Sequence, residues 1–127
     1  HFWADLFLHH NWPELLQKWN EQSAFEGSEF QPPRDGDHFR RDLLSKSLVN
    51  WSLSRQSDKR LILRKYHKKI TWIVGERDKK FIELTRSLVK EVVDLKVEII
   101  SDAGHRVLFD NPFDLARCIS NQVKNKV

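Results

Sequence analysis

Cysteine is nearly absent from this chain of 127 residues, in which Cys118 stands alone. A single cysteine cannot form an internal disulfide, so the sequence excludes a small secreted fold held together by disulfide bonds. No zinc-ligand spacing is present either, and neither a metal site nor a cofactor is predicted. Cys118 falls on the apolar face of the last predicted helix, where we expect a small core residue.

Long apolar runs are absent as well. No stretch approaches the roughly 20 apolar residues that a helix needs to cross a bilayer, and the mean hydropathy is −0.61. The sequence therefore predicts a soluble protein without a membrane partner, and a cytoplasmic location is the expectation.

Acidic residues are outnumbered by basic ones, and the net charge of +4 gives a pI near 9.3. The excess is concentrated between Arg55 and Lys69, where such a density of cations could bind nucleic acid phosphates. The apolar run Leu61–Leu63 and Tyr66 interrupt the cations, which favours a short amphipathic helix that packs on the core with its charges in water. No RNA-binding signature or helix-turn-helix pattern is present, so nucleic acid is not a predicted partner.

The first half of the chain predicts a set of helices rich in aromatic residues. Helices are expected over residues 2–9, 13–21 and roughly 38–51, and a loop over Glu26–Asp37 separates the last two. The rings either fill the core between these helices or line a pocket beneath them, and both interpretations stay open. The aromatic residues of this half are Phe2, Trp3, Phe7, Trp12, Trp19, Phe25, Phe30, Phe39 and Trp51.

Two short apolar runs in the second half predict strands, and a predicted helix follows each of them. Ile70–Val74 is β-branched and aromatic and is closed by Gly75, and apolar residues then recur at helical spacing over Phe81–Val92. Lys96–Ile100 is the second strand, and the last helix begins near Pro112. The order β-α-β-α favours parallel strands covered by helices, which is an α/β fold.

An aspartate and a histidine follow the two predicted strands. In an open parallel sheet, functional residues gather in the loops beyond the carboxyl ends of the strands, so Asp78 and His105 could meet there. A buried carboxylate that binds one imidazole nitrogen would leave the other nitrogen to act as a base. Alternatively, Asp78 only caps the helix that follows it, and His105 is a loop residue whose ring is satisfied by backbone groups.

Three segments resemble the closing part of the α/β-hydrolase superfamily: GERDKKF over residues 75–81, DAGH over 102–105 and NP at 111–112. The resemblance is closer to one of its families, the 2-succinyl-6-hydroxy-2,4-cyclohexadiene-1-carboxylate synthases of menaquinone biosynthesis. KWNEQSAF over residues 18–25 is similar to the cap segment of that family. The resemblance implies that the aspartate of the first segment and the histidine of the second belong to a Ser-Asp-His triad.

The same resemblance implies a nucleophile that this chain does not contain. The superfamily places its serine in a G-x-S-x-G turn between a strand and a helix, and the four glycines here are too far apart to supply that motif. We therefore interpret the chain as a partial α/β-hydrolase fold, with a helical cap over residues 1–57 and the carboxyl-terminal part of the core over 58–127. The amino-terminal half of the same protein is the expected partner, and the fragment alone is predicted to be inactive.

The synthases act on a small anionic substrate, which arginines of the cap would hold by charge-assisted hydrogen bonds. On this resemblance the substrate-binding residues are Trp19, Arg34 and Arg40, with Arg41 as a further candidate. The implied reaction is a lyase step that eliminates pyruvate. A general serine hydrolase of esters, thioesters or carbon–carbon bonds is the alternative, and a non-catalytic binding protein of the same fold is a further one.

Overall fold

The computed structural model describes residues 2–124, which divide into two compact units. Unit 1 comprises the residues up to Gln22 together with Pro32–Asp58, and unit 2 comprises Ser23–Gln31 together with the residues from Lys59 onward. The sequence placed a single boundary at residues 57 and 58, whereas Ser23–Gln31 groups with the carboxyl-terminal residues. The interpretation of the first part as a cap and the second as a hydrolase core stays a prediction.

Within the described residues, unit 1 is built from helices and short 3₁₀ turns. The start of α2 (Trp12–Asn20) follows from its sequence, because the side chain of Asn11 accepts a hydrogen bond from the backbone N–H of Glu14 and Pro13 occupies the first turn. The elements of unit 1 are α1 (Phe2–His9), α2 (Trp12–Asn20), a turn (Gly36–His38), α3 (Arg41–Asn50) and a turn (Leu53–Arg55).

Aromatic rings pack inside unit 1. The ring of Trp19 meets those of Trp3 and Phe7 edge to face, with centroids 5.1 Å and 5.3 Å away. Phe7 and Leu15 are buried, whereas Trp51 is 78% exposed. Packing in the unit's own core is therefore shown for Trp3, Phe7 and Trp19, and Phe7 and Trp19 also line a cavity of the same unit.

Unit 2 contains the strands, which form a parallel pair. β1 (Thr71–Gly75) and β2 (Lys96–Ile100) are in register with Val74 opposite Ile99, and the helix between them makes the crossover that a parallel pair requires. No helix within residues 2–124 has the length and apolar character that crossing a membrane requires. The elements are α4 (Arg60–Tyr66), a 3₁₀ turn (His67–Lys69), β1 (Thr71–Gly75), α5 (Lys79–Glu91), β2 (Lys96–Ile100), α6 (Val107–Asp110) and α7 (Pro112–Lys124), after a first turn at Ser23–Phe25.

The core of unit 2 lies between α5 and the strands. Leu88, Val92 and Leu95 form a buried cluster, against which Trp72 and other partly buried apolar side chains pack. The indole Nε1–H of Trp72 donates to Thr85 Oγ1 at 2.9 Å, so this ring fixes β1 against α5 by both packing and a hydrogen bond. The predicted strand, helix and strand are thus confirmed, with β1 beginning one residue later than expected.

The basic segment forms the predicted short helix, but its apolar residues do not share one face. Leu63 packs on the core cluster, whereas Leu61 is 74% exposed and Ile62 and Tyr66 are also exposed. The predicted amphipathic helix therefore packs on the core through Leu63, because a helix of two turns presents only one narrow face to its neighbour. Arg64 donates to Glu91 at 3.3 Å, which fastens α4 to the end of α5.

Candidate active site

Asp78 and His105 meet at one end of the parallel strand pair. β1 ends at Gly75 and β2 at Ile100, and the loops that follow are joined by a backbone hydrogen bond of 2.8 Å from Arg77 N–H to the carbonyl of Ala103. This brings His105 Nδ1 to 2.7 Å from Asp78 Oδ2, although the residues are 27 apart in sequence. The predicted juxtaposition is present in the structure.

The two carboxylate oxygens of Asp78 have different partners. Oδ2 faces His105, and Oδ1 accepts a hydrogen bond of 3.1 Å from the backbone N–H of Phe81, which makes Asp78 the N-cap of α5. The side chain is buried, with only 5% of its surface exposed. The sequence left capping and histidine binding as alternatives, and the geometry shows both contacts, one for each oxygen.

The imidazole of His105 contacts two aromatic rings. The centroid of Phe81 lies 4.7 Å from it and that of Phe25 lies 5.7 Å from it, and the guanidinium of Arg106 covers the Phe25 ring at 4.1 Å. A third of the His105 side chain is still exposed. A ring that is packed against two aromatic rings and bound by a carboxylate at Nδ1 presents Nε2 in a defined direction.

A cavity of about 260 Å³ borders this pair along β1. The residues that line it are Asp78, Phe81, His105 and Val107, together with Thr71–Gly75. A reacting group that enters the cavity can therefore reach the imidazole. Among the described residues, no group of three or more His, Cys, Asp and Glu side chains could hold a metal ion.

Three glycines support the site by close backbone contact, and sequence reasoning did not find this. A Cβ on Gly104 would lie 2.5 Å from Gly27 C and from Ser28 N, and a Cβ on Gly75 would overlap the carbonyl oxygens of Ala103 and Gly104. Gly27 also has φ of +86°, which side chains rarely adopt. The loops after both strands and the segment Ser23–Gln31 thus touch where only glycine fits.

Asp110 and Ser28 were also missed by the sequence analysis. Asp110 Oδ2 accepts hydrogen bonds from Ser28 Oγ at 2.8 Å and from Gly104 N at 2.9 Å, and Oδ1 accepts one from Phe30 N at 3.3 Å. Ser28 Oγ in turn accepts from Arg106 N at 3.0 Å. The only signal in the sequence was the position of Asp110 directly before the NP pair, because Ser28 lies 82 residues away.

The predicted substrate-binding residues lie in unit 1. Trp19 and Arg34 line the same cavity of about 280 Å³, which Phe7, Trp12, Leu16, Phe39 and Leu44 complete. Arg40 does not line this cavity. Its side chain is 73% exposed and its guanidinium donates to Asp42 at 3.1 Å, which holds the pKa of that carboxyl below its usual range. The structure therefore brings Trp19 and Arg34 together and leaves Arg40 apart.

Arg41 has a structural role that accounts for its position. Its guanidinium donates to the backbone carbonyl oxygens of Phe7 at 2.6 Å and of His10, at the carboxyl end of α1. A cation is favoured at this end of a helix, where carbonyl groups have no partner within the helix. The guanidinium of Arg41, which the sequence analysis named as a further candidate for substrate binding, is therefore bound to these carbonyl groups.

Arg77 lies in the loop that carries Asp78, yet its charge is directed to other carboxylates. It donates to Asp102 at 2.6 Å and also to Glu29. Hydrogen bonds to Asp102 first and Glu29 second raise the pKa of the guanidinium above its ordinary value. Since Arg77 is already paired in this way, it joins the loop after β1 to the loop after β2 and to the segment Ser23–Gln31.

Comparison with known proteins shows a likeness of fold. No protein-family model and no curated protein matches the sequence. The solved structure of MenH from S. aureus matches with a TM-score of 0.74 at 16% sequence identity, and the match covers 96% of this chain and 48% of that one. This likeness supports an α/β-hydrolase-like fold, and the chain spans about half the length of the structure that it matches.

Proposed function

We propose that this chain is the cap and carboxyl-terminal part of a serine-dependent enzyme of α/β-hydrolase fold, with Asp78 and His105 as the acid and the base of its triad. The observation that carries the proposal is the 2.7 Å contact between Asp78 Oδ2 and His105 Nδ1 at the ends of adjacent parallel strands. The fold likeness to MenH and the sequence segments over residues 75–81 and 102–105 support it.

In the proposed mechanism the buried carboxylate of Asp78 binds the Nδ1–H of His105 and so fixes the tautomer in which Nε2 is the base. A serine supplied by the amino-terminal half of the protein would enter the cavity along β1 and give its hydroxyl proton to Nε2. The imidazolium that forms is stabilised by the carboxylate. Because the serine lies outside these residues, we expect this chain alone to be inactive.

The reaction that we propose is the elimination of pyruvate in menaquinone biosynthesis. The activated serine would remove a proton from the substrate, and an oxyanion hole outside this chain would hold the developing enolate charge. A small anionic substrate is supported by the cavity that Trp19 and Arg34 line, since a guanidinium pairs with carboxylates through two parallel hydrogen bonds. A role for Arg40 in binding remains a prediction.

Two other functions are consistent with the same observations. A general serine hydrolase would use the Asp78 and His105 pair to form an acyl-enzyme from an ester, a thioester or a carbon–carbon bond substrate, and the fold does not separate it from a lyase. A non-catalytic binding protein would retain the fold without the serine. A cytoplasmic location and the absence of nucleic acid and membrane partners also stay predictions.

The test is turnover by this chain joined to its amino-terminal half. The menaquinone precursor is assayed for pyruvate release, in parallel with p-nitrophenyl esters and acyl-CoA thioesters, and His105→Ala serves as the inactive reference. Arg34→Gln is compared with Arg117→Gln, a change at an exposed arginine of α7, and only the first should raise KM. Pyruvate release without ester cleavage supports the lyase, and the reverse supports the hydrolase. If no substrate is turned over, the proposal that the complete protein is an enzyme is refuted.

A further inference from the structure

We propose that Asp110 and Ser28 act as a positioning pair that fixes the backbone on both sides of His105. The inference rests on the proposed function, because the orientation of this imidazole matters most if it is the base. Among the described contacts, neither residue is hydrogen-bonded to the ring; each acts through a backbone N–H of a residue next to His105. Their predicted role is therefore to align His105 with Asp78, and not to take part in the chemistry.

The contacts fall on both chain neighbours of the histidine. The backbone N–H of Gly104, just before His105, donates to Asp110 Oδ2 at 2.9 Å. The backbone N–H of Arg106, just after it, donates to Ser28 Oγ at 3.0 Å. Ser28 and Asp110 are joined to each other by a hydrogen bond of 2.8 Å, so one connected network holds both peptide groups.

The loop that carries His105 needs these hydrogen bonds because it has no regular secondary structure. No helix or strand covers Ser101–Arg106, and Asp102 within it has φ of +55°, a conformation that is uncommon for residues other than glycine. The hydrogen bond from His105 to Asp78 constrains the side chain only. If the backbone at residues 104 and 106 were loose, the imidazole could keep that bond and still point Nε2 in different directions.

A carboxylate at position 110 suits this network better than an amide. Asp110 accepts hydrogen bonds at both oxygens, from Ser28 Oγ, Gly104 N and Phe30 N. An asparagine has one acceptor oxygen, so its NH₂ group would face at least one of these donors. Asp110→Asn thus breaks part of the network at almost constant volume. Ser28→Ala removes both hydrogen bonds of the hydroxyl, the one from Arg106 N and the one to Asp110, and leaves the bond from Gly104 N to Asp110 in place.

The experiment uses the longest natural chain that contains these residues and measures two properties by NMR. The first is the downfield resonance of the His105 Nδ1–H, and the second is hydrogen exchange of the amides of Gly104 and Arg106. The matched control is Asp94→Asn, since Asp94 is exposed and has φ of +67°, which asparagine also tolerates. Retention of the Trp72 indole resonance reports that unit 2 is still folded.

We expect Asp110→Asn and Ser28→Ala to shift or broaden the Nδ1–H resonance and to speed exchange at Gly104 or Arg106 by roughly tenfold. The control should change neither. If Asp110→Asn unfolds unit 2, the milder Ser28→Ala variant decides the question. Unchanged resonance and unchanged exchange in a folded variant would overturn the inference.

Turnover separates this inference from the proposed function. In an active complete enzyme, the two variants should lower kcat with little change in KM, because substrate-binding groups are untouched while the base is misaligned. An NMR response together with no wild-type turnover would refute the proposed function and leave the positioning of the ring established. Wild-type-like kcat in both variants would overturn the inference while the proposed function stands.

Discussion

Asp78 makes two contacts with two oxygens, so replacing it by asparagine and by alanine should have separable effects. Asparagine is as good an N-cap as aspartate, and its oxygen can still accept from Phe81 N, as Asp78 Oδ1 does at 3.1 Å. Its NH₂ group then replaces Oδ2 at 2.7 Å from His105 Nδ1. Since that group is a donor, Nδ1 must lose its proton, and the histidine is forced into the tautomer with its proton on Nε2.

The loss of stability expected for each variant follows from the contacts of Asp78 that the variant removes. Asp78→Ala removes the N-cap, which costs about 1 kcal/mol, and also the hydrogen bond between a buried carboxylate and the imidazole, which is worth about 1.5–3 kcal/mol. The expected loss in the free energy of unfolding is therefore about 2.5–4 kcal/mol. Asp78→Asn keeps the cap and should cost only about 1 kcal/mol. In the complete enzyme, however, it should lower kcat about ten-thousand-fold, because Nε2 can no longer accept a proton.

Both variants are measured in the same way. Urea unfolding is followed through the indole N–H resonance of Trp72, which reports on unit 2 through its hydrogen bond to Thr85, and the ¹⁵N shifts of His105 report its tautomer. Asp94→Asn is the control for an aspartate change that removes no contact of the site. Equal destabilisation by asparagine and alanine, or a His105 ring in Asp78→Asn that keeps its proton on Nδ1, would refute the assignment of separate roles to the two oxygens.

Three further predictions concern the same unit. Gly104→Ala places a Cβ 2.5 Å from Gly27 C and Ser28 N, and we expect the free energy of unfolding to fall by about 1–3 kcal/mol; a wild-type urea midpoint would contradict the packing. His105→Ala should lower turnover of the complete enzyme by orders of magnitude while unit 2 stays folded by NMR, and wild-type activity would exclude the triad. Burial, and after it the nearby Glu98 carboxylate, raise the pKa of the Cys118 thiol. Iodoacetamide should therefore alkylate this thiol more slowly in the folded protein than in urea at the same pH. Equal rates would show that the thiol is not shielded.

The parts of the fold that could be predicted are those in which local chemistry and tertiary position agree. The run before Gly75 is β-branched and aromatic, and it forms β1 (Thr71–Gly75) as the pattern indicated. Lys96–Ile100 forms β2, and the helical spacing between them gives α5 (Lys79–Glu91). Because parallel strands end at a common edge, the sequence also placed Asp78 and His105 at the same end of the sheet.

Elsewhere the sequence was ambiguous for physical reasons. The segment Ser23–Gln31 has the glycine and polar residues of an ordinary loop, yet its contacts are made with residues such as Gly104 and Asp110, about eighty positions later. Arg41 was a ligand candidate by its charge, and only the folded structure shows that carbonyl groups at the end of α1 bind it. A residue type specifies what a side chain can bind, but not which partner is within reach.

The sequence by itself determined the order of strands and helices in unit 2 and the two residues that meet at the strand ends, because apolar periodicity and strand polarity are properties of the chain itself. Only the tertiary structure decided what holds His105 in place. Gly27 and Gly104 are far apart in sequence and become neighbours through backbone contact, and Ser28 and Asp110 do so through a hydrogen bond. Such contacts follow from the way distant segments pack, for which no local pattern of residues exists.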